Sequence, residues 1–246
     1  MKNKFFAIFC VLLFLVSACD NDDDQEANRG ASLVGVWGIV NGGEFSYLTL
    51  LSNNTFLYAE NDLSVNSSAE NGLEVGTYEY DANTEEITFT IVYDDNAPGT
   101  DSGIGDIGTP VTFSAEVLDD NSRLSLLDGE LIFNKMELTA TFPVIGVWST
   151  VNGVEFSYLV LLSNNTFLYG ENDSSVNSGA ENGLEVGTFF YDQGTETMSF
   201  NITYDDNDPG NDSGVGNIGD NDVVSAVLSN EENTLTIAGL ELTREL

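Results

Sequence analysis

The chain contains no histidine, and its 246 residues include only two cysteines and six lysines or arginines. Without histidine, catalytic triads built on a histidine base and ordinary imidazole zinc sites are excluded. Cys10 lies in an apolar segment that we expect to be removed, so Cys19 has no partner for a disulfide. Any chemistry at a site would therefore rely on carboxylate, amide and hydroxyl oxygens.

Positive charge is scarce, and the formal net charge is −35. After Lys2 and Lys4 the basic residues are isolated ones: Arg29, Arg123, Lys135 and Arg244. Because binding to nucleic-acid phosphates needs clustered Lys and Arg, a nucleic-acid partner is excluded. The acidic surface is consistent with high solubility and equally with capture of cations.

The first nineteen residues have the pattern of a secretory signal. Two lysines precede an apolar run from Phe5 to Val16, which is shorter than the about 20 residues of a membrane-spanning helix. The small residues before Cys19 resemble the lipobox of bacterial lipoproteins. We therefore expect a signal peptide over residues 1–18 and a lipid on Cys19, which implies a membrane partner through the anchor and an outer-membrane location, facing either the periplasm or the cell exterior.

Residues 19–32 are acidic, polar and without apolar periodicity, which predicts a disordered tether. This run resembles the export signal of surface lipoproteins, although a solvated spacer has the same composition.

The remaining chain repeats itself. The stretch from Gly35 to Asp62 returns almost unchanged from Gly146 to Asp173, at an offset of 111 residues. This period is longer than the roughly 20 to 50 residues of solenoid units, so each copy should have its own core. We predict two tandem domains, residues 33–142 and 143–246.

Each copy has short runs of aromatic and β-branched residues separated by Gly, Asn and Asp, which predicts an all-β fold. The short turns favour antiparallel neighbours. Eight such strands can close into an up-and-down barrel, with a β-sandwich as the alternative. The strands predicted in the first copy are Val34–Val40, Glu44–Ser52, Thr55–Asn61, Val75–Ala82, Glu85–Asp94, Val111–Asp119, Arg123–Asp128 and Glu130–Leu138.

A G-x-W motif opens each copy, at Gly35–Trp37 and at Gly146–Trp148. This motif and a late basic residue, Lys135 or Arg244, resemble lipocalins and related barrels, in which a cation packs over the tryptophan. The resemblance implies a small barrel with a cavity for a small apolar ligand. Alternatively, Trp37 and Trp148 simply plug the barrel base.

The connection after the fifth strand of each copy is long and acidic, and its residue spacing is similar to that of calcium-binding loops. The alternative is a solvated loop. The candidate calcium ligands are Asp95, Asn96 and Asp101 in the first copy and Asp206, Asn207, Asp208 and Asp212 in the second.

Carboxylate pairs Glu70/Glu74 and Glu181/Glu185 could in principle serve glycoside hydrolysis. A catalytic acid needs burial to raise its pKa, and these residues fall in predicted loops, so we do not expect an enzyme. The sequence predicts a lipid-anchored cell-envelope protein with lipocalin-like domains that bind a small apolar ligand or a surface partner without catalysis. A calcium-stiffened structural or adhesion module is the alternative.

Overall fold

The computed structural model describes residues 33–62, 71–95, 103–139, 142–153, 155–172, 183–206, 214–216, 218 and 221–246. The chain forms two closed antiparallel barrels in tandem, each with eight strands in up-and-down order. The predicted all-β class and the barrel architecture are confirmed, and the sandwich alternative is wrong. Closure removes the free sheet edges that a sandwich would leave.

The strands follow the alternating apolar pattern closely. Strand β4 begins three residues earlier than predicted, because Tyr58 and Glu74 continue the β3–β4 ladder. The first barrel contains β1 Gly35–Asn41, β2 Glu44–Leu50, β3 Thr55–Asn61, β4 Gly72–Asp81, β5 Glu86–Asp94, β6 Val111–Leu118, β7 Arg123–Leu126 and β8 Leu131–Lys135. The second contains β9 Gly146–Asn152, β10 Glu155–Leu161, β11 Thr166–Asn172, β12 Gly183–Asp192, β13 Thr197–Asp205, β14 Asn221–Ser229, β15 Thr234–Ile237 and β16 Leu240–Arg244.

Each strand pairs with the next, and the last strand returns to the first. Trp37 on β1 pairs with Lys135 on β8, and Trp148 on β9 pairs with Arg244 on β16. We call the end of each barrel that holds the tryptophan the base, and the opposite end the mouth. The first strand of each barrel begins at the base and ends at the mouth.

Large side chains fill the described interior of both barrels. In the first barrel Phe56 and Phe89 meet edge to face, with ring centres 4.8 Å apart. Phe167 and Phe200 do the same in the second, at 4.7 Å. All four rings are buried and belong to the hydrophobic clusters that form the core of each barrel.

The two barrels pack against each other through the outer faces of their first four strands and the ends of their fifth strands. Tyr93 meets Phe156 at 5.1 Å between ring centres, and Phe45 meets Tyr204 at 5.4 Å, both edge to face. This reciprocal pattern is that of a two-fold dimer interface. The contact explains why these strands are apolar on both faces; its core includes Val36, Tyr47, Leu57, Leu73, Val75, Val147, Tyr158, Leu168, Leu184 and Val186.

Candidate functional site

An open cleft lies at the mouth of each barrel, beside the first three strands. The volumes are about 280 Å³ and 300 Å³. The first cleft is lined by Ile39, Asn41, Glu44, Phe45, Ser46, Glu60, Asn61 and Asp62. The second is lined by Thr150, Asn152, Glu155, Phe156, Ser157, Glu171, Asn172 and Leu240. Seven positions correspond at the 111-residue offset and six of those are identical. We call these two sites the acidic clefts.

Local hydrogen bonds fix the polar lining of the acidic clefts. The Asn61 side-chain amide donates to the carbonyl of Gly43 at 2.9 Å. In the second cleft, the Tyr169 hydroxyl donates to Glu171 Oε2 at 2.6 Å. Burial is the main cause that raises the pKa of Glu60 above its usual range. The lining offers carboxylates, amides and a hydroxyl, and it contains no basic residue.

A buried glutamate lies in the strand wall of each barrel. Glu74 and Glu185 are 1% and 0% exposed. The Ile104 N–H donates to both carboxylate oxygens of Glu74, at 3.1 and 2.9 Å. The Val215 N–H donates to Glu185 Oε2 at 2.9 Å. These carboxyls therefore tie the connection after the fifth strand of each barrel to the wall.

Burial raises the pKa of Glu74 and of Glu185 to about 8, although the backbone N–H groups oppose the rise. Glycine is required opposite each carboxyl. A Cβ on Gly103 would lie 1.9 Å from Glu74 Oε1, and one on Gly214 would lie 2.0 Å from Glu185 Oε1. Both glycines also have φ near +80°, a region that disfavours side chains.

The prediction that Glu74 and Glu185 lie in loops is wrong, because they belong to β4 and β12. A sequence signal for their burial does exist: in both copies the glutamate stands between Leu and Val in a pattern typical of a strand. Their suggested partners, Glu70 and Glu181, lie outside the described residues.

The structure places Asp95 and Asp206 at the contact between the barrels. Asp95 Oδ1 accepts the Leu73 N–H at 2.6 Å, and Asp206 Oδ1 accepts the Leu184 N–H at 2.5 Å. Their Oδ2 atoms are buried and have no hydrogen-bond partner in the described part of the chain. Burial raises the pKa of both carboxyls above the usual range, and the nearby Asp95 charge adds to the rise for Asp206.

The other candidate calcium ligands, Asn96, Asp101, Asn207, Asp208 and Asp212, lie outside the described residues. Within the described ranges, no group of three or more acidic, histidine or cysteine side chains is placed to hold a metal ion.

The base of each barrel carries the tryptophan and the cation that the sequence singled out. Lys135 Nζ lies 5.1 Å from the centre of the Trp37 ring, and Arg244 Cζ lies 4.1 Å from that of Trp148. Each indole N–H donates to a carbonyl four residues earlier, at 2.8 Å. Both rings are fully buried, so this end is a packed plug.

The Arg244 side chain makes several hydrogen bonds in addition to its contact with Trp148. Its guanidinium donates to the carbonyls of Pro143, Ile145 and Glu232, at 2.5, 2.8 and 2.9 Å. Arg244→Lys gives the second barrel the residue that the first barrel has at this place, Lys135. We expect it to lower the free energy of unfolding by about 1–2 kcal/mol, because the positive charge is kept but the guanidinium hydrogen bonds are lost. Urea unfolding checks this, with Lys135→Arg as the reciprocal variant. A Lys variant as stable as the original would show that the three carbonyl contacts contribute nothing.

The fold and the clefts define a tandem β-barrel protein with packed interiors and polar clefts at the barrel mouths. Comparisons with protein-family models, with curated proteins and with solved structures found no match to this chain. In the part of the chain that the structure describes, no helix is both long and apolar enough to cross a membrane. Cys19 lies outside that part.

Proposed function

We propose that the protein is a non-enzymatic binding module, held on the cell envelope by a lipid on Cys19, that binds a small organic cation in each acidic cleft. The ligand group is a protonated amine or a guanidinium. The observation that carries this proposal is the duplicated cleft, whose lining is kept nearly residue for residue in two barrels with filled interiors.

The charge of the clefts favours a cation over other ligands. Glu44, Glu60 and Asp62 line the first cleft, and Glu155 and Glu171 line the second. Carboxylates in a concave site concentrate the negative potential, which raises the local concentration of cations and repels anions. The overall charge of −35 acts in the same direction at longer range.

The polar groups favour an organic cation over a bare metal ion. Calcium needs six or more oxygen ligands, and magnesium needs near-octahedral coordination. The described residues contain no cluster of three candidate metal ligands. An ammonium or guanidinium instead needs a few acceptors in a fixed arrangement and an apolar wall for its carbon chain. The side chains of Ile39 in the first cleft and Leu240 in the second offer that wall, since the rings of Phe45 and Phe156 pack in the contact between the barrels.

The apolar ligand implied by the resemblance to lipocalins would need an empty interior. The buried rings of both barrels occupy that space in the described residues. We therefore place the binding function at the mouths. The tryptophan–cation plug at each base supports a lipocalin-like ancestry without a lipocalin-like cavity.

Agmatine, which carries one guanidinium and one ammonium, is a suitable probe for calorimetric titration at fixed ionic strength. Replacing Glu44, Glu60, Glu155 and Glu171 by Gln should weaken agmatine binding by about tenfold or more, because the charged acceptors are lost while the shape is kept. The matched control replaces four exposed glutamates that do not adjoin a cleft residue, Glu79, Glu86, Glu116 and Glu231, by Gln.

The control variant loses the same net charge, so it should bind agmatine within about twofold of the original protein. Equal losses in both variants would mean that agmatine responds to overall charge, and the cleft proposal would fail. Calcium that binds tightly where agmatine does not would also contradict it and would favour the calcium-stiffened alternative.

A further inference from the structure

The outer face of the second barrel carries a patch of uncharged side chains, bordered by the exposed Asp192. Six outward-facing residues of β12, β13 and β14 form it, and we call them the neutral face: Thr188, Phe190, Thr197, Ser199, Asn201 and Val223. Phe190 pairs with Ser199 and Ser199 pairs with Val223, so these three form one row across the sheet.

Phe190 and Val223 are 64% and 66% exposed. An exposed phenylalanine in the centre of a sheet face is unusual for a soluble surface and often marks a contact site. Here it stands in a chain with 41 acidic residues.

The first barrel provides an internal reference for this face. At the 111-residue offset, Phe190 corresponds to Glu79, Thr197 to Glu86 and Val223 to Thr112. Glu79 and Glu86 are exposed on β4 and β5. The barrel therefore tolerates glutamates at these two sheet positions, where the second copy has Phe190 and Thr197. Folding does not require the neutral face.

The chemistry of the neutral face fits a sugar chain. Hydroxyl and amide side chains both donate and accept hydrogen bonds, as sugar hydroxyls do. The ring of Phe190 presents a flat apolar surface against which the C–H face of a sugar can be buried. None of the six residues is a carboxylate. The bordering carboxylate, Asp192, is at the end of β12, pairs with Thr197 and accepts the Gly194 N–H at 2.8 Å. A sugar over Phe190 therefore need not bury an unpaired carboxylate, which would be costly.

A protein partner fits less well. A stable protein interface buries about 800 Å² per partner around a largely apolar centre. The neutral face offers two apolar side chains, Phe190 and Val223, among hydroxyl and amide groups. An anionic polysaccharide would be repelled by a chain with a net charge of −35.

We propose that the neutral face binds a linear, uncharged polysaccharide, with Phe190 under a sugar ring and the surrounding hydroxyl and amide groups on the sugar hydroxyls. This site is independent of the acidic clefts, which lie at the barrel mouths, and it belongs to the second barrel alone. It would let the protein adhere to a neutral glycan.

The test is calorimetric titration of the protein with four neutral hexasaccharides: cellohexaose, maltohexaose, xylohexaose and mannohexaose. We expect one or more to bind. The variant carrying Phe190→Glu and Thr197→Glu, which installs the first barrel's residues, should weaken that binding by about tenfold or more. The control variant carries Thr77→Glu and Thr112→Glu on the first barrel, which adds the same charge at exposed positions, and it should bind as the original protein does.

Thermal unfolding of both variants checks that the fold is intact. We expect it to be, because glutamates already occupy the first-barrel positions that correspond to Phe190 and Thr197, and because Thr77 and Thr112 are exposed. The proposal is overturned if none of the four sugars binds, or if both variants bind equally well. It is also overturned if sedimentation shows that Phe190→Glu converts a dimer to a monomer with no effect on sugar binding, since the face would then join two copies of the chain.

Discussion

The free energy of unfolding is expected to fall as the pH rises from about 4 to about 8. In the folded protein the pKa is about 8 for Glu74 and Glu185, and burial raises the pKa of Asp95 and Asp206 as well. In the unfolded chain the same carboxyls titrate near their ordinary values of about 4. Between these pH values the folded chain holds more protons than the unfolded chain.

The sign follows from that difference in bound protons. The stabilising contribution of each carboxyl is fully present below about pH 4 and is lost as the pH rises through the folded pKa. The slope for one group reaches about 1.4 kcal/mol per pH unit between the two pKa values. The cause is desolvation, because each carboxylate would have to be charged inside the strand wall or at the contact between the barrels.

Urea unfolding at about pH 5 and about pH 8 measures the effect. The variant carrying Glu74→Gln and Glu185→Gln should lose about half as much stability between these pH values, because two of the four buried carboxyls no longer titrate. Gln has no proton to release and still offers an oxygen to the Ile104 or Val215 N–H. The exposed pair Glu116→Gln and Glu241→Gln is the control and should keep the slope of the original protein. Parallel pH profiles for all three proteins would refute a role for the buried glutamates.

Replacing Trp148 by Ala is expected to lower the free energy of unfolding by about 3–5 kcal/mol. The ring is fully buried, its N–H donates to the Val144 carbonyl at 2.8 Å, and the Arg244 guanidinium lies over its face. The substitution leaves a cavity at the barrel base, orphans a buried carbonyl and removes the surface on which Arg244 packs. Trp37→Ala should have a similar effect in the first barrel.

Trp148→Phe separates these contributions, because it keeps most of the ring volume and loses the N–H donor. We expect it to cost less than half of the alanine loss, measured by urea unfolding with the slope of the transition unchanged. An alanine variant within about 1 kcal/mol of the original protein would mean that the tryptophan does not plug the base.

The barrel was predictable because its determinants are local. Asn, Gly and Asp turns after runs of alternating apolar residues mark each hairpin, and the ends of β3 and β6 fall within one residue of the prediction. The tryptophan and the late cation were recognisable because both stand out in a chain with few basic residues.

The acidic clefts could not be predicted in the same way. The lining comes from the first three strands of each barrel and, in the second cleft, also from Leu240 on β16. Along the chain, polar residues such as Asn41 and Asn61 have the pattern of ordinary strand ends. The position of a cleft depends on where the closed barrel leaves a gap between side chains. The residue types along the chain do not specify that position.

The contact between the barrels was missed for a related reason. An outward-facing apolar residue such as Leu57 or Leu168 has the same one-dimensional pattern whether it meets solvent, a ligand or a second barrel. The burial of Asp95 and Asp206 followed from that contact, so the sequence suggested loop acids where the structure has acids between two domains.

The most direct test of the binding proposal is the number of agmatine sites, measured by calorimetric titration of the protein and of two half-variants. One half-variant carries Glu44→Gln and Glu60→Gln in the first cleft, and the other carries Glu155→Gln and Glu171→Gln in the second. We predict two sites in the original protein and one in each half-variant, because the two clefts have nearly the same lining. Two sites retained in both half-variants, or a single site in the original protein, would contradict binding at the duplicated clefts.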